Sequence, residues 1–193
     1  MAKLYFYYSS MNAGKSTTLL QSSFNYRERG METMLWTAAI DDRYGQGRIV
    51  SRIGLEAQAH LFDAATDLFQ SVEARQAETP LSCVLIDEAQ FLNTDQVWQL
   101  AAVCDRLGIP VLCYGIRTDF QGRLFEGSAA LLGLADTLTE IKTICECGRK
   151  AIMNLRVDGK GRPIREGEQT EIGGNDRYVA LCRRHFVERR SGD

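Results

Sequence analysis

The sequence predicts an α/β fold, a parallel β-sheet with helices on both faces. Strand-like apolar runs lie at about 3–8, 33–38, 82–86 and 110–115. Helix-like stretches separate them at about 15–29, 64–77 and 94–107. Strands that alternate with helices are typical of βαβ units, in which crossover helices cover both faces of a parallel sheet.

The loop after the first predicted strand has the composition of a phosphate-binding loop. It reads Ser9-Ser10-Met11-Asn12-Ala13-Gly14-Lys15-Ser16. In loops of this pattern, backbone N–H groups surround the phosphates, the lysine reaches the β and γ oxygens, and the serine hydroxyl takes Mg²⁺. We therefore expect residues 9–16 to bind a nucleoside triphosphate, with Ser16 on the metal ion. Ser9 stands at the position of the usual first glycine, so this position either keeps a negative φ or tolerates a side chain where other loops need none.

The stretch at 94–107 is predicted to be a scaffold helix with one buried face. The apolar residues that recur at helical spacing are Val97, Leu100, Ala101, Cys104 and Leu107. We expect the intervening polar residues to face water: Gln96, Gln99, Asp105 and Arg106.

Two acids, Asp87 and Glu88, follow the apolar strand at 82–86. In an open α/β sheet the end of a strand brings side chains to the crevice beside the phosphate-binding loop, so this segment is typical of a Walker B element. We expect Asp87 to hold Mg²⁺, and Glu88 to orient an attacking hydroxyl and take its proton late in the reaction. An arginine at the γ-phosphate would stabilise the developing charge, and the candidates are Arg43, Arg52 and Arg117. Together the loop and the acids predict a P-loop NTPase domain of the RecA-like type over residues 1–140.

The composition changes at about residue 140, and we expect residues 141–193 to form a small second domain. Cys145 and Cys147 stand near its start, and Cys182 and His185 near its end. Three thiolates and one imidazole suit a tetrahedral Zn²⁺, and four protein ligands make a site structural because no position is open for water. The alternative is a set of reduced surface thiols with a solvated histidine.

A glycine- and charge-rich loop at 158–176 lies between the two ligand pairs. A zinc ion would fix both ends of this loop. We then expect the loop to be a lid that binds a small planar ligand through its backbone. Tyr178 either stacks on that ligand or packs in the core.

Composition narrows the possible partners. The chain has 193 residues and a formal net charge of -2, which gives no electrostatic reason to expect nucleic acid or an anionic membrane. No apolar run approaches the roughly 20 residues that span a bilayer, and the N-terminus lacks the layout of a signal peptide. We therefore expect a cytoplasmic protein.

Three further cysteines lie in apolar patterns and are expected to be buried thiols: Cys83, Cys104 and Cys113.

These motifs together resemble the thymidine kinases of the class that includes bacterial and vertebrate cytosolic enzymes. The resemblance covers nearly the whole chain and rests on residues 11–16, 41–44, 51–52, 87–91, 114–120 and 173–178, and on the cysteine and histidine set. It implies ATP-dependent phosphorylation of the 5′-hydroxyl of thymidine, and of deoxyuridine, in pyrimidine deoxynucleotide salvage for DNA synthesis. Glu88 would be the catalytic base.

The resemblance also implies binding roles and an assembly. Asp41, Arg43, Asp87 and Gln90 would belong to the nucleotide site, and Met11, Phe91 and Phe125 would line the nucleoside pocket. A lasso-like loop would hold thymine through the backbone of Thr170, Glu171, Ile172 and Gly173, with Tyr178 against the nucleoside. Members of this family are usually homotetramers that thymidine triphosphate (dTTP) inhibits from the lasso site.

An ATPase of the helicase or RecA type with a structural zinc is the alternative, because residues 87–90 also resemble the acidic box of helicases. A helicase needs two such domains, whereas this chain has room for one, and it lacks both a basic excess and a stacking platform. A GTPase is expected to carry an Asn-Lys-x-Asp segment, which is absent from the sequence. A non-enzymatic zinc-binding interaction module would require Glu88 to be idle.

Overall fold

The computed structural model describes residues 1–41, 45, 47–170 and 177–192. In chain order its elements are β1 (Leu4–Ser9), α1 (Lys15–Arg27), β2 (Glu32–Ala38), β3 (Arg48–Val50), β4 (Glu56–Gln58), β5 (His60–Phe62), α2 (Leu68–Glu78), β6 (Leu81–Ile86), α3 (Thr94–Ala102), β7 (Val111–Ile116), α4 (Glu126–Leu134), β8 (Thr137–Glu140), β9 (Thr143–Ile144), β10 (Lys150–Ala151), β11 (Met153–Arg156), β12 (Tyr178–Leu181) and α5 (Arg183–Ser191). A 3₁₀ turn at Ala89–Phe91 follows β6, and a π-helical turn at Val103–Leu107 follows α3.

A six-stranded sheet in the order β5-β2-β6-β7-β1-β8 forms the centre of the fold. Every pairing in it is parallel. The predicted strands correspond to β1, β2, β6 and β7, and the predicted helices to α1, α2 and α3. The edge strands β5 and β8 were not predicted, because they are only three and four residues long and β8 has neither an apolar run nor a buried residue.

Side chains alternate between the two faces of the sheet, as a period of two residues requires. In β6, Val84 and Ile86 pack in the cluster that also contains residues of α2, α3 and α4. Cys83 and Leu85 point the other way, into the cluster that contains residues of α1. Helices therefore cover both faces, which confirms the predicted P-loop NTPase-like α/β fold. The three cysteines predicted to be core thiols are buried.

The scaffold helix differs from its prediction at Gln96, which we expected to face water. Gln96 is only 1% exposed. Its side-chain N–H groups donate to the backbone oxygens of Asp63 (2.7 Å) and Thr66 (3.0 Å), and its Oε1 accepts from Asn93 N–H (3.1 Å). Asn93 is the N-cap of α3, so the prediction was wrong because Gln96 completes a capping box.

The C-terminal region has a hydrophobic cluster of its own. In this region β9 pairs with β10, and β11 pairs with β12, both in antiparallel orientation. The buried members of this cluster include Leu155, Leu181 and Phe186, together with Cys145 and Cys182. Such a small core is expected to need support from a metal ion or from packing against the main sheet.

None of the helices in the described part of the chain is both long enough and apolar enough to cross a bilayer.

We expect Gln96→Ala to lower the free energy of unfolding by about 1–3 kcal/mol, because it removes a cap and the hydrogen bonds that this side chain donates to the backbone oxygens of Asp63 and Thr66. Urea denaturation measures this change. Gln70→Ala, at an exposed position of α2, is the matched control and should change stability by less than about 0.5 kcal/mol. Equal losses in the two variants would contradict the structural role of Gln96.

Candidate active site

The phosphate-binding loop (residues 9–16) joins the end of β1 to the start of α1. Gly14 caps α1 in the left-handed region with φ 87°, and Asn12 also has a positive φ of 63°. Ser9 is the last residue of β1 and is not among the described residues with positive φ. The Lys15 ammonium donates to Ser9 Oγ and to the backbone oxygen of Ser10, each at 3.0 Å. The lysine thus lies folded against its own loop.

The acids after β6 lie next to this loop, although β7 separates β6 from β1 in the sheet. The Ser16 hydroxyl donates to Asp87 Oδ2 at 3.0 Å. Burial and the nearby Glu88 carboxylate raise the pKa of Asp87 to about 7. A hydroxyl and a carboxylate so close together are oxygen ligands of the kind that Mg²⁺ takes, so these residues fit the ion.

Glu88 is held in a specific orientation by its neighbours. Its backbone has φ 52°, a left-handed conformation that is uncommon outside glycine and clusters at functional sites. Its carboxylate accepts a hydrogen bond from Gln90 Nε2, and Gln90 Oε1 accepts from Ile116 N–H at 3.1 Å. At Gly115 a Cβ would lie 2.9 Å from Gln90 Oε1 and 3.0 Å from the Gln90 backbone nitrogen, so this close approach requires glycine.

A cavity of about 430 Å³ opens beside these groups. The predicted site residues that line it are Met11, Asn12, Ala13, Gly14, Lys15, Ser16, Asp41, Glu88, Gln90, Phe91, Phe125, Thr170 and Tyr178. Phe91 and Phe125 meet edge to face with ring centroids 5.9 Å apart, which gives the cavity an aromatic wall.

Other predicted residues fall elsewhere. Among the described residues, Ser9, Ser10 and Asp87 are buried and do not line the cavity. Of the candidate arginines, Arg52 lines the cavity, whereas the guanidinium of Arg117 lies 5.7 Å from the Tyr8 ring centroid. The predicted residues outside the described part of the chain are Arg43, Glu171, Ile172 and Gly173.

Asn154, which was not among the predicted site residues, connects the C-terminal region to the phosphate-binding loop. It is 2% exposed in β11. Its Oδ1 accepts from Met11 N–H at 2.7 Å, and its Nδ2 donates to the Thr118 oxygen at 3.0 Å. A buried amide with satisfied hydrogen bonds fixes the segments that it joins. No local pattern indicates this role, because its partners are 143 and 36 residues away.

Arg156, at the end of β11, was also missed. It is 2% exposed, and its Nε donates to the Tyr178 hydroxyl at 2.9 Å. Its Nη1 donates to the Glu168 oxygen at 3.0 Å, and its Nη2 to the Gln169 oxygen at 3.3 Å. The guanidinium lies 3.8 Å from the centroid of the Phe120 ring.

The predicted cysteine and histidine set comes together as a candidate metal site. The four ligand atoms of Cys145, Cys147, Cys182 and His185 lie within 4.8 Å of one another. Cys145 Sγ is 3.3 Å from His185 Nδ1, and Cys147 Sγ is 3.9 Å from Cys182 Sγ. Zinc–sulfur bonds of about 2.3 Å in a tetrahedron place sulfurs about 3.8 Å apart, so the donor set fits Zn²⁺.

Local structure explains how these four ligands meet. Cys145 and Cys147 lie on the turn between β9 and β10, where Gly148 has φ 78° and its N–H donates to the Cys145 oxygen at 2.8 Å. Cys182 is the N-cap of α5, and His185 lies in the first turn of that helix. Burial opposes ionisation of the Cys145 thiol, but hydrogen bonds from the backbone N–H groups of Cys147 and Cys182 prevail and lower its pKa to about 6. This thiol therefore ionises readily, as a metal ligand must.

The parallel sheet, the loop at the end of β1 and the acids at the end of β6 define a P-loop nucleotide-binding protein. Comparison with known proteins gives the family. The model of the thymidine kinase family matches residues 2–186. This chain therefore belongs to the thymidine kinase family, as its motifs implied.

Individual relatives are similar in sequence to this chain over nearly their full length. A protein of Novosphingobium aromaticivorans named thymidine kinase is 74% identical over 188 residues, 97% of this chain and 98% of the relative. One of Zymomonas mobilis with the same name is 66% identical over 189 residues, 98% of each chain. One of Vibrio vulnificus is 62% identical over 188 residues, 97% of this chain and 98% of the relative.

We expect the purified protein to carry about one zinc ion per chain, because its donor set matches a structural site. Cys182→Ser should remove most of that zinc and lower the thermal unfolding midpoint, since the C-terminal cluster would lose its support. Elemental analysis by mass spectrometry and thermal unfolding measure the two effects. Cys104→Ala, a buried thiol outside the set, is the control and should keep the zinc. A zinc-free wild type, or equal zinc in both variants, would contradict the metal site.

Proposed function

We propose that this chain transfers the γ-phosphate of ATP to the 5′-hydroxyl of thymidine, and of deoxyuridine, to give the 5′-monophosphate and ADP. The observation that carries the proposal is one cavity lined by the phosphate-binding loop, by Glu88 and by an aromatic wall. Phosphate groups and a nucleoside could therefore meet in the same space. Membership of the thymidine kinase family and relatives with that name support the same reaction.

In the proposed mechanism Glu88 is the catalytic base. Its carboxylate, oriented by Gln90, accepts a hydrogen bond from the nucleoside hydroxyl. The bond between the 5′-oxygen and the γ-phosphorus forms, the bond from that phosphorus to the bridging oxygen breaks, and the hydroxyl proton passes to Glu88 late in the step. ADP leaves with the electron pair of the broken bond.

Charge stabilisation comes from the phosphate-binding loop. Lys15 and the backbone N–H groups of residues 12–15 would bind the phosphate oxygens as negative charge moves in the transition state, whereas the Met11 N–H is already bonded to Asn154. Ser16 and Asp87 would hold Mg²⁺, which would neutralise charge on the β and γ oxygens. Asp41 and Arg52 line the cavity and are our candidates for further nucleotide contacts. Arg43 keeps the same role by family resemblance.

The aromatic part of the cavity is the proposed nucleoside site. Met11, Phe91 and Phe125 would enclose the nucleoside, with Thr170 and Tyr178 on the side of the C-terminal region. Contacts from the backbone of Glu171, Ile172 and Gly173 follow from the family resemblance. A pyrimidine methyl group in an apolar pocket contributes about 1–3 kcal/mol, so deoxyuridine should be accepted with lower efficiency.

We further propose that residues 1–140 form the nucleotide-binding domain and residues 141–193 a zinc-binding lid domain. The separate hydrophobic cluster around Leu155 and the convergence of the four ligands support this division. Zinc would be structural here, because the protein supplies all four ligands. By family resemblance, the protein would be a cytoplasmic homotetramer that dTTP inhibits. Its net charge of -2 favours no nucleic-acid or membrane partner.

The proposal is tested by phosphate transfer from ATP to a panel of thymidine, deoxyuridine, deoxycytidine and deoxyguanosine. Controls contain no nucleoside or contain single-stranded DNA. We expect thymidine 5′-monophosphate as the main product and slow ATP hydrolysis without nucleoside. ATP hydrolysis that DNA stimulates and nucleosides leave unchanged would overturn the kinase and favour the ATPase alternative.

We expect Glu88→Gln to lower the turnover number by roughly 10²–10⁴-fold while ATP affinity stays close to that of the wild type, because an amide cannot accept the proton. Steady-state kinetics and calorimetric ATP binding measure the two quantities. Glu78→Gln, at the exposed end of α2, is the control and should leave both unchanged. Near-normal turnover of the Glu88 variant would remove this residue from the mechanism.

A further inference from the structure

Arg156 is a buried cation whose contacts lead to the cavity. Its side chain is almost fully buried at the end of β11, and it stands directly opposite Tyr178 in the antiparallel pair of β11 and β12. Burying a guanidinium costs free energy unless directed hydrogen bonds compensate. The partners of this arginine therefore indicate what it does.

Three of those partners are residues that line the cavity. Phe120, Gln169 and Tyr178 all line the cavity, and Arg156 contacts each of them, as a cation on the Phe120 ring and as a hydrogen-bond donor to the other two. Arg156 itself is not among the described residues that line the cavity. It therefore acts on a ligand through neighbours such as these and not by lining the cavity itself.

The planar shape of the guanidinium matters for these contacts. Its two terminal nitrogens donate to the carbonyl oxygens of consecutive residues, Glu168 and Gln169, directly before Thr170. A rigid fork of this kind holds two adjacent acceptors at once, which a lysine ammonium on a flexible stem cannot reproduce. Gln169 is held a second time, because its Nε2 donates to Asp119 Oδ2 at 3.1 Å.

We propose that Arg156 is a positioning residue for the nucleoside: it fixes the Tyr178 ring and the segment at 168–170 in the orientation that binds the substrate. The inference rests on the proposed function and adds a residue that sets nucleoside affinity without touching the nucleoside. It predicts that loss of Arg156 affects the binding of thymidine and not that of ATP, because the phosphate-binding loop is built from other residues. Loss of the fork raises KM for thymidine and leaves KM for ATP nearly unchanged.

The test compares Arg156→Lys with Tyr178→Phe and with the double variant. We expect Arg156→Lys to raise KM for thymidine roughly tenfold or more, since charge-assisted hydrogen bonds are lost. The turnover number at saturating thymidine and KM for ATP should change by less than about threefold. Tyr178→Phe removes only the hydroxyl that accepts from Arg156, so it leaves the buried cation and the fold in place. It should raise KM for thymidine by a smaller factor.

The double variant separates positioning from general damage. If Arg156 acts partly through the Tyr178 hydroxyl, Arg156→Lys should have a smaller effect in the Tyr178→Phe background than in the wild type. Arg162→Lys, an exposed arginine in the same region that pairs with Asp158, is the matched control and should leave the kinetics unchanged. Zinc content should equal that of the wild type in every variant.

Several outcomes would overturn the inference. These are equal increases in KM for thymidine and ATP, a lower turnover number with KM unchanged, fully independent effects in the double variant, or an unchanged KM for thymidine in Tyr178→Phe. An unchanged KM for thymidine in Tyr178→Phe would overturn the inference even if Arg156→Lys fails to fold. Failure of the proposed function would be seen differently, as a wild type that does not phosphorylate thymidine.

Discussion

The hydrogen bond between Ser16 and Asp87 joins two segments that are 71 residues apart, and it depends on the direction of the strands. In a parallel sheet all strands end at the same edge, so the loop after β1 and the acids after β6 meet there even though β7 lies between them. Glu88 follows Asp87 in the chain and therefore lies at the same edge of the sheet. The phosphate-binding part of the cavity is thus a consequence of sheet topology, with glycine at Gly115 allowing the packing that orients Glu88 through Gln90.

The part of the cavity that we propose for the nucleoside depends on a second connection. Asn154 of β11 binds the backbone of Met11 on one side and of Thr118 on the other. Arg156, two residues further on, holds Tyr178 and the segment at 168–170. Asn154 thus joins the C-terminal region to the phosphate-binding loop, and Arg156, at the next alternate position of the same strand, holds segments of the C-terminal region together. We infer that the cavity is assembled from both regions, and that the metal site supports the C-terminal one.

The sequence was informative wherever a function needs neighbouring residues. The phosphate-binding loop, the acid pair, the central strands and the two pairs of candidate metal ligands could all be recognised, because each is a short local pattern with a physical cause. Gln96 was predicted wrongly because its polar side chain caps the helix and binds loop carbonyls, which periodicity does not reveal. Asn154 and Arg156 could not be found at all. They look like ordinary strand residues, and their roles exist only through partners that are distant in the sequence.

The most direct test of this assembly is calorimetric binding of thymidine and of ATP before and after removal of the metal by a chelator. In the proposed function the C-terminal region supplies part of the nucleoside site, whereas the phosphate-binding loop lies in the other region. Metal removal should therefore weaken thymidine binding at least about tenfold and change ATP affinity by less than about threefold. Adding zinc back should restore the thymidine affinity. Thymidine affinity that survives complete metal removal, or equal losses for both ligands, would contradict the account.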